Sequence, residues 1–233
     1  MSVPIFLYHQ IDVPPKHRAP FRSMTVRPDR FRQQMAWLKR LGYRGLSVRD
    51  AIPYIYGGKQ GKVAVITFDD GFANVFRNAL PVLQEFGFTA TNYFVANQIG
   101  GFNLWDQGIG VAPANCMSVA EMREWADLGH EVGSHTLDHV FLPDTSEKDA
   151  IEQIQQSRTK IEDLLGSEVT SFAYPYGGEN AATRKIVEAA GYKNATTTEK
   201  RRARSTDDPF GIPRLTIRRN DILPQFLLKT FMR

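Results

Sequence analysis

The sequence predicts an α/β fold, a parallel sheet of seven or eight strands closed into a barrel, and three observations carry that expectation. Strand-like apolar runs alternate with amphipathic helix-like runs along the chain, the order that gives parallel pairing with helical crossovers. The run at 63–68 is apolar without alternation, as in a strand covered on both faces. His9, Asp69, Asp70 and His135 each closely follow a strand candidate, and the chemistry of parallel barrels sits at the C-terminal ends of their strands.

Taken in order, residues 3–9 read as a strand and 29–41 as a helix with Phe31, Met35, Leu38 and Leu41 on one face. A short strand at 43–46 leads to a helix at 48–56, closed by Gly57 and Gly58. After the strand at 63–68, residues 72–86 read as helical with a kink or break at Pro81. A strand at 89–95 precedes a long segment, 96–117, rich in Gly, Asn and Pro. Ser118 and Glu121 form a capping box that opens a helix to 128. A brief strand at 131–133 follows, then a long helix at 147–165 ended by Gly166. Residues 171–174 read as a strand, Asn180 caps a helix to 190, and 193–197 and 212–217 are strands before a helix at 221–231.

A chain of 233 residues fits one domain spanning 1–233, and 42% hydrophobic with 23% charged residues is ordinary for a globular protein. The net charge of +4 is too mild to argue for nucleic acid. With Cys116 alone, no intramolecular disulfide forms. The first ten residues carry no basic segment and too short an apolar run for a signal peptide or a membrane span, so the expectation is a soluble, cytoplasmic chain; one cysteine does not exclude export. The one dense basic run, Lys200 to Arg204, reads as a solvated loop or as a contact with phosphate or acidic sugar.

Two segments carry chemistry. Thr67-Phe68-Asp69-Asp70-Gly71 alone is equally a turn, since Asp and Gly favour turns. His135 and His139, four apart, share one face of a helical turn, yet either can be a surface or core histidine. Together they supply two imidazoles and adjacent carboxylates. Two neutral imidazoles and one carboxylate are a common ligand set for catalytic zinc, with a position left for water, and the second carboxylate is then free to act as a base.

In this order the motifs resemble the polysaccharide deacetylases of carbohydrate esterase family 4, the NodB-like homology domain. Residues 67–71 match the family's first motif intact, 133–139 (GSHTLDH) match the second, and Ala173-Tyr174-Pro175-Tyr176-Gly177 stands where the third is usually Arg-x-Pro-Tyr-Gly. The resemblance runs from Tyr8-His9 through Arg214. It implies a distorted (β/α)7–8 barrel whose one catalytic domain hydrolyses N-acetyl groups on sugars. It implies Asp70, His135 and His139 as metal ligands, Asp69 as general base, the Tyr176 backbone N–H facing the developing oxyanion, and Pro175 with Tyr176 among the oxyanion- and substrate-binding residues. Zinc is the expected metal and a carbohydrate the expected partner.

The departures matter as much. The arginine that opens the third motif is Ala173 here, and no histidine follows His139, so the family's usual general acid is absent from the C-terminal region. His9, at the end of the first strand candidate, is the candidate acid, or else a packing histidine; His17 sits in a Pro-rich loop and His130 reads as structural. Arg214 is either the cation that replaces the missing arginine or a surface residue of an edge strand. Trp105, in Gly101-Phe102-Asn103-Leu104-Trp105-Asp106, stacks on a sugar or packs in the interior. Two rivals stand beside the deacetylase reading: a hydrolase of a non-sugar C–N bond (a cyclic imide, ureide or formamide) using the same site in a small closed pocket, and a non-catalytic carbohydrate-binding protein.

Overall fold

The computed structural model describes residues 2–231. Eight parallel strands form the main sheet: β1 (Ile5–Tyr8), β2 (Arg44–Leu46), β3 (Val63–Phe68), β4 (Thr91–Phe94), β5 (Glu131–Ser134), β6 (Ser171–Ala173), β7 (Asn194–Thr196) and β8 (Leu215–Thr216). Seven of them follow one another in the order β7-β6-β5-β4-β3-β1-β8, and β2 pairs with the first half of β3. β3 is shared because β2 takes Val63 to Val65 while β4 takes Thr67 and Phe68. The sheet curls into a half-barrel. Between its two ends lies an isolated parallel bridge, Thr196 to Ile212.

The helices lie outside: α1 (Pro28–Arg40), α2 (Val48–Ile55), α3 (Ala73–Asn78), α4 (Leu80–Phe86), α5 (Val119–Asp127), α6 (Glu147–Leu165), α7 (Ala181–Ala189) and α8 (Leu223–Phe231). Their starts are legible in the sequence. Pro28 opens α1, where a missing N–H costs nothing. Ser47, Ser146 and Asn180 cap α2, α6 and α7, and Ser118 with Glu121 closes both bonds of the capping box on α5. The buried face of α1, Phe31, Met35 and Leu38, packs into the central core with Tyr8 and Phe68.

Prolines account for two differences from the sequence expectation and for the break expected near Pro81. The first strand is interrupted at Pro4: Ser2 and Val3 pair antiparallel with Arg204 and Ala203, and only Ile5 onward joins the sheet. The helix expected over 72–86 is two helices, broken at Ala79 ahead of Pro81. The last strand shortens to Leu215–Thr216, because Pro213 has no N–H to place in a ladder.

Candidate active site

At the C-terminal ends of β3 and β5, Asp70, His135 and His139 converge. They offer ligand atoms that all lie within 4.8 Å of one another, and all three are buried. Nε2 of His139 stands 3.3 Å, and Nε2 of His135 3.6 Å, from Asp70 Oδ1. That oxygen accepts no hydrogen bond although it is buried. Nδ1–H of His135 donates to the carbonyl of Ala173 at 2.7 Å, which leaves the Nε2 lone pair facing Asp70. Burial, helped by His139 and opposed by Asp69 and Asp70, pushes His135 down to about 4, so it is neutral at ordinary pH. For Asp70, burial opposes ionisation, but His139 first, then His9 and His135, hold the carboxyl well below the usual range. The His135 lone pair and the Asp70 oxygen repel unless a cation stands between them, and His139 Nε2 lies beside both. The donor set therefore fits a divalent metal.

Asp69 has the opposite surroundings. Nη1 of Arg214 donates to its Oδ1 at 2.6 Å and Nη2 to its Oδ2 at 2.8 Å, a bidentate pair. Arg214 has no exposed surface and is fixed further by Nε to the Thr197 carbonyl at 2.9 Å and Nη1 to Thr67 Oγ1 at 3.2 Å. Burial alone would raise the Asp69 carboxyl; Arg214, then His135 and His9, outweigh it and hold it below its ordinary value. Two adjacent carboxylates are thus kept ionised by different partners, one by an internal arginine and one beside two imidazoles.

The backbone at this site is unusual. Asp70 (φ 77°), Thr136 (67°), His139 (61°) and Tyr176 (59°) all adopt the left-handed region, where side chains other than glycine are rarely found and where strain of order 1–3 kcal/mol per residue is held by the surroundings. This corrects one expectation: residues 135–139 do not form a helical turn. His139 returns to His135 because the Thr136 hydroxyl accepts its N–H at 2.9 Å while Gln153 Oε1 accepts the N–H groups of Leu137 and Asp138. At Gly71 (φ 68°) a Cβ would lie 2.8 Å from Phe94, so only glycine completes the turn after Asp70.

A cavity of about 280 Å³ opens over these groups, lined by Asp69, Asp70, His135 and His139 together with His9, Asp106 and the aromatic rings of Phe21, Phe72, Trp105 and Tyr176. His9 is half-buried, and its buried Nδ1 has no partner. The rings of Trp105 and Tyr176 lie 4.8 Å and 4.6 Å from the His139 ring. Tyr176 is 54% exposed, so its ring remains available at the mouth. Pro175 is buried beneath, at the start of the short turn Pro175–Gly177, and does not line the cavity.

A family model described as polysaccharide deacetylase matches residues 56–195, more than half of the chain. The chain belongs to the polysaccharide deacetylase family. Among its relatives, the protein YxkH of Bacillus subtilis (strain 168) is 27% identical over 218 residues, covering 93% of this chain and 71% of that protein. The poly-β-1,6-N-acetyl-D-glucosamine N-deacetylase of Staphylococcus epidermidis is 27% identical over 206 residues, covering 84% and 69%. The solved structure of the Streptococcus pyogenes deacetylase PplD in complex with acetate superposes with a TM-score of 0.83 at 25% identity, covering 100% of this chain and 99% of that one.

Within this polysaccharide deacetylase, the position of the missing motif arginine is occupied by Ala173, buried, whose carbonyl orients His135, and Arg214 brings a guanidinium to Asp69 from the segment just before β8. His17 is exposed and stands outside the cavity. His130 lies at the opposite, N-terminal end of β5, stacked on Trp125 at 4.3 Å and accepting the Ala90 N–H at its Nδ1. The basic run is largely absorbed in local structure: Arg201 pairs with Glu199 and Asp207, and Arg202 donates to the carbonyls of Thr230 and Ser2. Lys200 alone of the run lines the cavity, with Arg218. Among the described residues, no helix is long and apolar enough to cross a membrane. Sequence reasoning missed the Ala173 carbonyl and Thr67 as supports of His135 and Arg214; backbone acceptors and a strand threonine give no signal of their own.

Proposed function

We propose that this chain is a metal-dependent hydrolase that removes N-acetyl groups from an N-acetylated oligo- or polysaccharide. The observation that carries this reading is the division of labour between neighbouring carboxylates: Asp69 is held at both oxygens by Arg214, whereas Asp70 Oδ1 is buried and unpartnered between two imidazoles. Membership of the family, a relative named as a poly-β-1,6-N-acetyl-D-glucosamine N-deacetylase, and a similar structure of a deacetylase in complex with acetate agree with it.

Asp70, His135 and His139 would hold the metal, and zinc suits two neutral imidazoles with one carboxylate. A cation held there would supply Lewis acidity to the acetyl carbonyl and to a neighbouring water. Asp69 takes a proton from that water as oxygen attacks the acetyl carbon. Its carboxylate is ionised across the neutral range, and the Arg214 pair points it in one fixed direction. The N–H of Tyr176, with Pro175 bracing the turn behind it, is the donor for the oxygen that gains negative charge. The C–N bond breaks as the nitrogen receives a proton, which His9 supplies; the products are acetate and the free amine. Trp105 and Tyr176 supply apolar ring faces for the sugar.

The cavity also bears on the rival substrate class. A cyclic imide or ureide calls for a small sealed pocket, whereas this one has a half-exposed tyrosine at its mouth and aromatic walls. The test is mass spectrometry of a panel of N-acetyl sugars, their oligomers and sugar nucleotides after incubation with zinc-loaded protein. Loss of an acetyl unit from one of them is expected. Turnover of cyclic imides with none of the sugars would overturn the sugar reading.

A further inference from the structure

Three carboxylates line the cavity, and one has no role in the chemistry above. Asp69 is held at both oxygens by Arg214, and Asp70 faces the two imidazoles. Asp106 is different. It is 8% exposed and shares the cavity with His9, Trp105 and Tyr176, yet it is outside the group of side chains that can hold a metal. Its Oδ2 accepts Nδ2–H of Asn103 at 2.9 Å. Its Oδ1 accepts no hydrogen bond from any described residue.

The segment is built to hold this side chain still. Oδ1 of Asn103 accepts the Ala114 N–H at 2.7 Å, and the Asp106 N–H donates to the Asn103 carbonyl at 3.1 Å. The loop is stitched back onto the turn that carries Asp70: the Ala73 N–H donates to the Asn115 carbonyl and the Met117 N–H to the Gly71 carbonyl. Asp106 therefore keeps a fixed position relative to the metal ligands. A merely structural role in the turn Leu104–Ile109 would use one oxygen, the one bound to Asn103. A carboxylate with a free oxygen in a partly dry cavity is an acceptor waiting for a donor. Sugars present hydroxyl donors in abundance, and charge-assisted hydrogen bonds to them are strong and directional.

We propose that Asp106 is the acceptor for a ring hydroxyl of the N-acetylated sugar, and that this bond sets the sugar's register over the Asp70, His135 and His139 group. This rests on the deacetylase reading and assigns a specificity-determining residue to it.

The test uses whichever N-acetylated oligosaccharide the zinc-loaded enzyme deacetylates, with matched versions in which one hydroxyl at a time is replaced by hydrogen. Asp106→Asn keeps an oxygen for Asn103 while turning the free acceptor into a donor; Asp106→Ala removes both. Each variant is expected to bind zinc at wild-type stoichiometry and to lose roughly ten- to hundred-fold in kcat/KM, the size of one hydrogen bond to a charged group. The wild type is expected to lose a similar factor on one deoxy substrate, and the variants are expected not to distinguish that substrate from its parent. Wild-type kcat/KM in Asp106→Asn, or an undiminished preference for every hydroxyl in both variants, would overturn the inference while leaving the deacetylase reading intact. Absence of turnover by the wild type on every N-acetyl sugar would defeat the deacetylase reading itself, and this assignment with it.

Discussion

Replacing Arg214 by methionine tests the interior of the site most directly. Methionine fills comparable space but leaves the Asp69 carboxylate, only 3% exposed, with no cation. Four hydrogen bonds go with the guanidinium: two to Asp69, one to Thr67 and one to the Thr197 carbonyl. Removing one partner of a buried ion pair costs about 3–5 kcal/mol, against a total stability of about 5–15 kcal/mol. For a chain of this size that is a fall in Tm of roughly 6–20 °C. The measurement is thermal unfolding of metal-free protein in chelator, so that metal binding does not mask the loss. The pH dependence has a definite sign. In the wild type the Asp69 carboxyl is lowered, so its contribution is present above the unfolded carboxylate range and is lost as pH falls through the folded value. Without Arg214, burial dominates and raises that carboxyl, so the variant gains stability on acidification and the gap to wild type narrows. Asp69→Asn completes a double-mutant cycle, in which the two losses should fall short of additivity by about 2 kcal/mol or more. A Tm within about 2 °C of wild type, on the same scale of a few degrees per kcal/mol, or additive losses, would refute the ion pair as the element that holds Asp69.

The other expectations concern metal, base, acid and fold separately. His135→Ala should lose stoichiometric zinc and activity together; full metal content by elemental analysis would remove it from the ligand set. Asp69→Asn should keep zinc and the fold but lose nearly all turnover, and a wild-type rate would give the proton to another group. His9→Ala should lower kcat while zinc content and fold are kept, since the leaving nitrogen then lacks its proton donor; an unchanged kcat would reject that role. His130, pushed down to about 4 by burial, should make the protein less stable as pH falls from about 6.5 to 4, by about 3 kcal/mol. His130→Asn should flatten that part of the stability–pH curve, and unfolding titrations of metal-free protein at several pH values measure the difference.

The alternation of apolar strands with capped helices was readable because each cue is local. Ser118 with Glu121 or Asn180 before α7 acts within one turn of chain, and a hydrophobic run such as Val63–Phe68 declares its own burial. Asp69, Asp70, His135 and His139 were legible as a set because their residue types and spacing restrict the chemistry even before their distances are known. What the chain could not reveal was how partners separated in sequence are shared. Whether Arg214 was a surface arginine or an internal one depends on a side chain that starts just before β8 and ends on a residue 145 positions earlier. Whether Asp106 was a loop acid or a wall of the cavity depends on Asn103, Ala114 and the turn at Gly71 closing around it. The left-handed backbone at Asp70, Thr136, His139 and Tyr176 is likewise a product of the assembled site: Asp and His tolerate that conformation better than most side chains and Thr and Tyr do not, and surrounding contacts hold all four in it. Sequence by itself determined the elements, their order and the reactive groups; tertiary structure alone decided which carboxylate is paired, which is left open, and which loop side chain lines the cavity, because those depend on burial and on contacts that no stretch of chain makes with itself.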